Sequence, residues 1–236
     1  MHTPNNIKWI TNARILATYA VILLHCSAGF VAYSDIGSSA WWTGNVFDSL
    51  VRWCVPVFVM ISGALLLDSS KKETLKDFYS KRMGKILIPT LFWSIFYMIL
   101  LPLLMRGELS IRDITMKIYT GSPSFHMWFL FMIIGLYAFT PFLKKMLCEL
   151  SKREVFFLCI SLFFLSAVYA ILRKLFPSPP TAFPFMFLPF ISYFLAGYLI
   201  RFSTLSRASF TVMTAIFISS TILTALGCFA IGSTYG

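Results

Sequence analysis

The run Ile10–Tyr33, ITNARILATYAVILLHCSAGFVAY, is long enough to cross a bilayer, yet it carries two residues that lipid rejects: Arg14 near its start and His25 deep inside. An ionisable side chain within a span is expensive unless it faces protein or a watery cavity, so each is a candidate functional residue. The two lie eleven residues apart. At about 100° per residue a helix stacks them on one face, separated by roughly three turns and about 16 Å. One stripe of this helix is therefore expected to face the protein interior. Structural roles remain open for both. Arg14 can snorkel to the headgroups as a topology anchor, and a neutral His25 can hydrogen-bond across helices. Against these stands the suitability of an imidazole, with its ordinary pKa near about 6.5, for proton transfer.

The rest of the chain has the same character. Of 236 residues, 58% are hydrophobic and only 12% charged, 25 are Phe, and the mean hydropathy is +0.79. This composition excludes a soluble domain and predicts an all-α, polytopic transmembrane helical bundle embedded in a lipid bilayer. Seven spans are expected, at about residues 10–33, 46–67, 84–105, 125–143, 155–172, 183–200 and 209–231. Nothing between them amounts to a separate module, so residues 1–236 are expected to form a single transmembrane domain. The net charge of +11 sits on no soluble module able to read a nucleic-acid groove, and no nucleic-acid partner is expected. The five cysteines, at 26, 54, 148, 159 and 228, make no metal-binding spacing. Neither a metal nor a disulfide is predicted.

The charge reports orientation instead. Lys8, the loop residues Lys71, Lys72, Lys76, Lys81, Arg82 and Lys85, then Lys144, Lys145, Lys152 and Arg153, and finally Arg201 and Arg207 fall on one side of the membrane. Only Arg106, Arg112, Lys117, Arg173 and Lys174 fall on the other. By the positive-inside rule the amino terminus is cytoplasmic. On the outer side, Trp41 and Trp42 read as an interface belt. The stretch SPSFHMW (122–128) brings His126 and Trp128 to the mouth of the fourth span, and FPSPPTAFPFMFLP (176–189), with five prolines, must interrupt any helix. The second span, DSLVRWCVPVFVMISGALLL (48–67), carries Arg52 four residues after Asp48, a spacing at which the two can neutralise each other. Pro56 can kink this helix, and Ser62–Gly63 offers a small surface for close packing.

Arg14 and, after ten residues, His25; Arg52 followed by VPVFVMISG; the basic stretch KRMGKILIP (81–89); and HMWFL (126–130) occur in this order along the chain. In this the sequence resembles the membrane-bound acyltransferase-3 family of bacterial cell-surface O-acetyltransferases. Within that family WITNARILATYAVILLH (9–25) and RWCVPVFVMISG (52–63) are most like the enterobacterial-common-antigen type. The resemblance implies a multi-pass protein of the bacterial inner membrane that uses acetyl-CoA as co-substrate to acetylate a saccharide or lipid-linked glycan. It implies that Arg14 and His25 are the catalytic pair. It also implies further spans beyond Gly236, so the chain is expected to be carboxy-terminally truncated, as a shortened gene product or a fragment, or else a reduced member of the family. Thr11 stands where the family often carries an acid.

The residues accommodate that chemistry. Acyl transfer from a thioester to a hydroxyl needs a base and an electropositive site for phosphate or a developing oxyanion. His25 supplies the base, acting on the hydroxyl directly or by first carrying the acetyl group. Arg14, with Lys81, Arg82 and Lys85, is the candidate set for the CoA phosphates. Arg52, His126 and Trp128 are candidates for the acceptor. Two other classes fit the same charges: a transporter or flippase for a lipid-linked or small anionic solute, and a non-catalytic membrane partner.

Overall fold

A computed structural model describes residues 5–68, 73–105, 107, 110–176, 179–203 and 207–235. Lys71, Lys72 and Arg106, counted in the charge bias, and Pro177 of the proline-rich stretch lie outside the described residues. The described residues form helices and turns, with no strand among them. Seven helical segments are long and apolar enough to cross a membrane: Lys8–Tyr33, Ser39–Leu66, Leu75–Leu104, Trp128–Glu149, Lys152–Leu175, Phe183–Arg201 and Ala208–Thr234. The protein is an all-α, multi-pass membrane protein. The chain divides into two compact units, Met1–Ile61 with Ile200–Gly236, and Ser62–Leu199.

In the first unit, α1 (Asn5–Tyr33) and α2 (Ser39–Val51) pack as an antiparallel pair, with α10 (Arg207–Tyr235) against α2. The pairing is close because Gly44 has no side chain. A Cβ there would lie 2.5 Å from the Phe30 Cβ and 3.1 Å from the Ser27 carbonyl oxygen. Asn45, 1% exposed, donates through Nδ2 to the Ala225 carbonyl of α10 at 2.8 Å. Such an interhelical bond contributes modestly, on the order of 0.6 kcal/mol. Trp41 and Trp42 stack on Phe229 of the same helix, with ring centroids 5.9 and 5.0 Å away, and Trp41 is buried. These tryptophans clamp two helices together, where the sequence suggests an interface belt. Their partner is 187 and 188 positions distant, and no local pattern announces it.

The second span is broken as Pro56 predicts. α2 ends at Val51, residues 52 and 53 form a turn, and α3 (Cys54–Leu66) resumes. Proline has no N–H for the Arg52 carbonyl, and its ring crowds that group, so the break falls four residues before it.

In the second unit, α4 (Leu75–Ile95) runs through a π turn at Phe96–Leu100 into α5 (Leu101–Leu104). The π turn precedes Pro102, whose missing N–H would otherwise leave a gap in the ladder. Instead the Leu101 N–H reaches back five residues to the Phe96 carbonyl. α4 packs antiparallel on α7 (Trp128–Glu149), with the Tyr79 hydroxyl donating to the Ala138 carbonyl at 2.7 Å at one level and Tyr97 against His126 at another. Between them comes a short amphipathic helix, α6 (Ile111–Thr120). Ser110 caps its amino end by accepting from the Asp113 N–H, and Gly121 closes it at φ 61°. α8 (Lys152–Leu175) follows, opened by a capping box between Ser151 and Glu154. The proline-rich stretch then proceeds as two 3₁₀ turns, Phe183–Phe185 and Leu188–Phe190, into α9 (Ile191–Arg201).

Candidate functional site

Eight residues are expected from the sequence to carry function, and they fall in two groups. Arg14, His25 and Arg52 belong to the first unit. Lys81, Arg82, Lys85, His126 and Trp128 belong to the second.

On α1 the buried stripe consists of Ile10, Ala17, Ala20 and Ser27. Arg14 and His25 do share a face, about 20° apart in projection, but that face flanks the packed stripe, and both side chains are exposed. The interior-facing stripe therefore exists, and the small residues Ala17, Ala20 and Ser27 rather than the ionisable pair occupy its centre. They win the packed face because close helix contact requires small side chains.

Arg52 is placed by the helix break. Ala20 on α1 packs in one cluster with Val51 and Cys54, flanked by Val21, Leu24, Trp53 and Val55. The turn bearing Arg52 is therefore level with Ala20–Leu24, between Arg14 and His25 along the axis of α1. Arg52 forms the expected ion pair with Asp48. Its side chain is half exposed, whereas that of Asp48 is nearly enclosed. A buried carboxylate is costly unless paired, so Asp48 fixes the guanidinium while leaving its outer edge open. Asn45 and Ser49, also buried, continue this polar seam along α2.

In the second unit Lys81 and Lys85 line one groove of about 500 Å³ on α4, together with Ser80, Gly84, Ile88 and Pro89. Arg82 turns aside, 4.3 Å above the Phe78 ring. Arg82 and Lys81 both bind Glu73, at 2.7 and 3.1 Å. The Arg82 hydrogen bond, assisted by Lys81, holds the Glu73 carboxyl below the usual carboxylate range. A depressed carboxylate stabilises the fold above its unfolded pKa and loses that contribution as pH falls through its folded value. At neutral pH Glu73 is therefore ionised and competes with any anionic ligand for these two cations. Glu73→Gln is expected to tighten binding of an anion at these cations by up to about fivefold, the range of an exposed ion pair. An equilibrium titration with inorganic pyrophosphate checks this.

His126 and Trp128 lie at the other end of this unit and diverge. His126 stands against Tyr97, with centroids 5.4 Å apart, beside a cavity of about 410 Å³ that also touches Trp93 and Leu130. Its Nδ1 is 3.3 Å from the Ser124 hydroxyl. Trp128 turns to a larger cavity of about 740 Å³ between α8 and the proline-rich stretch, and meets Phe190 at 5.8 Å. Ser166, Tyr169 and Arg173 of α8 and Thr181 line the same cavity. These four are absent from the sequence-based set. For three of them the signal was present, since Ser166, Tyr169 and Arg173 recur at helical spacing on a span that is otherwise largely apolar.

These features define a multi-pass membrane protein with a charged and histidine-bearing first helix, a paired arginine at a helix break, and cavities toward one end of its second unit. The model of an acyltransferase domain, the acyltransferase 3 family, matches residues 7–236. The chain belongs to that family. No curated protein and no solved structure matched it.

Proposed function

We propose that this chain transfers an acetyl group from acetyl-CoA to a hydroxyl of a cell-surface or lipid-linked saccharide, working in the bacterial inner membrane with its amino terminus in the cytoplasm. The observation that carries the reading is the family match over residues 7–236, which assigns acyl transfer in general. The choice of acetyl donor and saccharide acceptor rests on the likeness of 9–25 and 52–63 to the enterobacterial-common-antigen type. The bias of basic residues toward one side supports the orientation.

In this reading His25 takes the proton of the acceptor hydroxyl as its oxygen attacks the thioester carbonyl. The carbon–sulfur bond breaks, and the departing thiolate receives that proton, so the products are the ester and free CoA. Arg14 binds the CoA phosphates with its planar fork, and Arg52, held by Asp48, stabilises negative charge or holds the acceptor. Within the second unit, the groove of Lys81 and Lys85 is a further candidate for a phosphate, with Arg82 beside it engaged by Glu73, and His126 and Trp128 each face a cavity that is a candidate for the acceptor path.

The test is labelled acetyl-CoA supplied to inverted membrane vesicles, with thioester loss and label on saccharide both followed. Acetyl transfer coupled to thioester loss supports the enzyme, whereas movement of an intact solute without thioester loss overturns it. In the same assay at subsaturating acetyl-CoA, Arg14→Ala is expected to lose about tenfold or more, the worth of a charge-assisted bidentate contact. Arg14→Lys should lose less, since it keeps the charge without the fork. Parental activity of Arg14→Ala at matched expression would remove Arg14 from the donor site.

A further inference from the structure

The cavity of about 740 Å³ beside α8 is ordered by polarity. Leu162, Leu165, Ser166, Tyr169 and Arg173 line it from one face of α8, a run of eleven positions and about 16 Å. Along that face the lining is apolar first, then hydroxyl-bearing, and cationic at the carboxy-terminal end of the helix. The opposite wall keeps the same order, with Leu188, Phe190 and Ile191 at the apolar level and Pro179, Pro180 and Thr181 at the cationic one.

Hydrogen bonds hold the two walls in register. Arg173 donates to the Pro179 carbonyl at 3.1 Å and to the Thr181 hydroxyl, neither of which carries a charge to cancel that of the guanidinium. At the hydroxyl level the contacts are long. The Tyr169 and Thr181 hydroxyls lie 3.4 Å apart, and the Ser166 hydroxyl meets the Pro189 carbonyl at 3.5 Å. Bonds of that length are weak and readily exchanged for a better-placed acceptor. Prolines at 179, 180, 184 and 189 have no N–H, so the wall opposite α8 presents few backbone donors that a lipid neighbour would leave unsatisfied.

We propose that this cavity binds a glycerophospholipid of the bilayer, held by its phosphate at Arg173. The order along the walls is the order of that molecule: hydrocarbon chain, then ester-bearing glycerol, then phosphate. The apolar half takes the upper part of one chain. Ser166, Tyr169 and Thr181 offer hydroxyls to the ester carbonyls, and the planar fork of Arg173 pairs with the phosphate. Seven positions, about 10 Å of helix, separate Ser166 from Arg173. A fatty acid, whose carboxylate follows its chain directly, would leave that hydroxyl level against methylene groups, and a free phosphate would leave the apolar half empty. The volume lies within the roughly 300–1,000 Å³ of ligand sites, and the remainder of the lipid stays in the bilayer. A lipid held here occupies the space that Trp128 faces, which leaves the cavity at His126 to the acceptor in the acyl-transfer reading. The binding itself does not rest on that reading.

The experiment uses the full chain in detergent micelles, without acetyl-CoA, and a phosphatidylglycerol carrying a diazirine in one acyl chain, photolabelled and mapped by mass spectrometry. Label that unlabelled phosphatidylglycerol displaces is expected on residues 162–173 and 183–191. Phosphatidylglycerol should compete about tenfold better than diacylglycerol of the same chains, than palmitate and than glycerol 3-phosphate. Arg173→Gln should bring phosphatidylglycerol down to the level of diacylglycerol, whereas Arg173→Lys, which keeps the charge without the fork, should retain part of the preference. Diacylglycerol, palmitate or glycerol 3-phosphate matching phosphatidylglycerol overturns the proposal, as does displaceable label confined to other segments. A polyprenyl phosphoglucose that competes about tenfold better than phosphatidylglycerol overturns it as well. These comparisons are made on the parent chain, so they decide the matter even where a variant fails to fold. A folded Arg173→Gln chain that keeps the full preference overturns the placing of the phosphate at Arg173. Because no acyl donor is present, absence of acetyl transfer in the vesicle assay leaves this result standing, and the two failures are read apart.

Discussion

Replacing His25 by glutamine is expected to cut acetyl transfer by at least about 10²-fold, the usual worth of positioned acid–base catalysis, while the chain still inserts into the membrane. Glutamine keeps much of the size and hydrogen-bonding capacity of histidine but cannot exchange a proton near neutral pH. If His25 serves only as a polar tie between helices, glutamine restores most of its function and alanine does not. If it is the base, both variants fail alike. Because His25 is exposed on the flank of the α1 stripe, its side chain can be replaced without opening the Ala17–Ala20–Ser27 contact. Acetyl transfer and thermal unfolding should therefore separate: a large loss in the first, little change in the second. Near-parental transfer by well-inserted His25→Gln would return His25 to a structural role.

The spans were legible because each is a long apolar run, and lipid imposes that requirement on every one of them. Their ends were less so. The second span begins at Ser39 rather than near 46, since the Ser38 hydroxyl accepts from the Trp41 N–H and starts the helix early. The fourth extends to Glu149 because Lys144 and Lys145 continue the helix beyond the apolar run. Local chemistry also announced the break at Arg52 through Pro56, and the Asp48–Arg52 pair through its spacing. The short helix α6 is equally announced, by Ser110, Asp113 and Gly121, although its residues are not apolar enough to resemble a span.

The candidate site was legible in its chemistry and not in its grouping. A charge inside a span is conspicuous one residue at a time, which is why Arg14, His25 and Arg52 stood out. Which cavity a side chain enters depends on partners distant in sequence. Trp128 and His126 are two residues apart and line different cavities, because Phe190 draws one ring and Tyr97 the other. Likewise KRMGK reads as a uniform basic patch, yet Glu73 and the Phe78 ring take Arg82 out of the groove that Lys81 and Lys85 share.

The largest structural effect is expected at Gly63, where the sequence suggested a small surface and the fold uses it to bring two backbones into contact. A Cβ on Gly63 would stand 1.9 Å from the Phe194 carbonyl oxygen and 2.7 Å from its carbon. Those are backbone atoms of α9, so no rotamer change relieves the clash, and the helices must separate. Phe194 and Leu195 are fully buried on the same stretch, so separation also loosens the packing around them. Gly63→Val is expected to cost about 3 kcal/mol, lowering the ratio of folded to unfolded protein by roughly 10²-fold. The comparison that isolates this contact is Gly29→Ala on α1, where a Cβ would meet nothing within 4 Å. In a helix interior that change is expected to be neutral or to stabilise by up to about 1 kcal/mol. Thermal unfolding of the two variants in detergent, followed by size-exclusion chromatography, measures the difference. If Gly63→Val unfolds at the same temperature as Gly29→Ala, then α3 and α9 do not approach as closely as this packing requires.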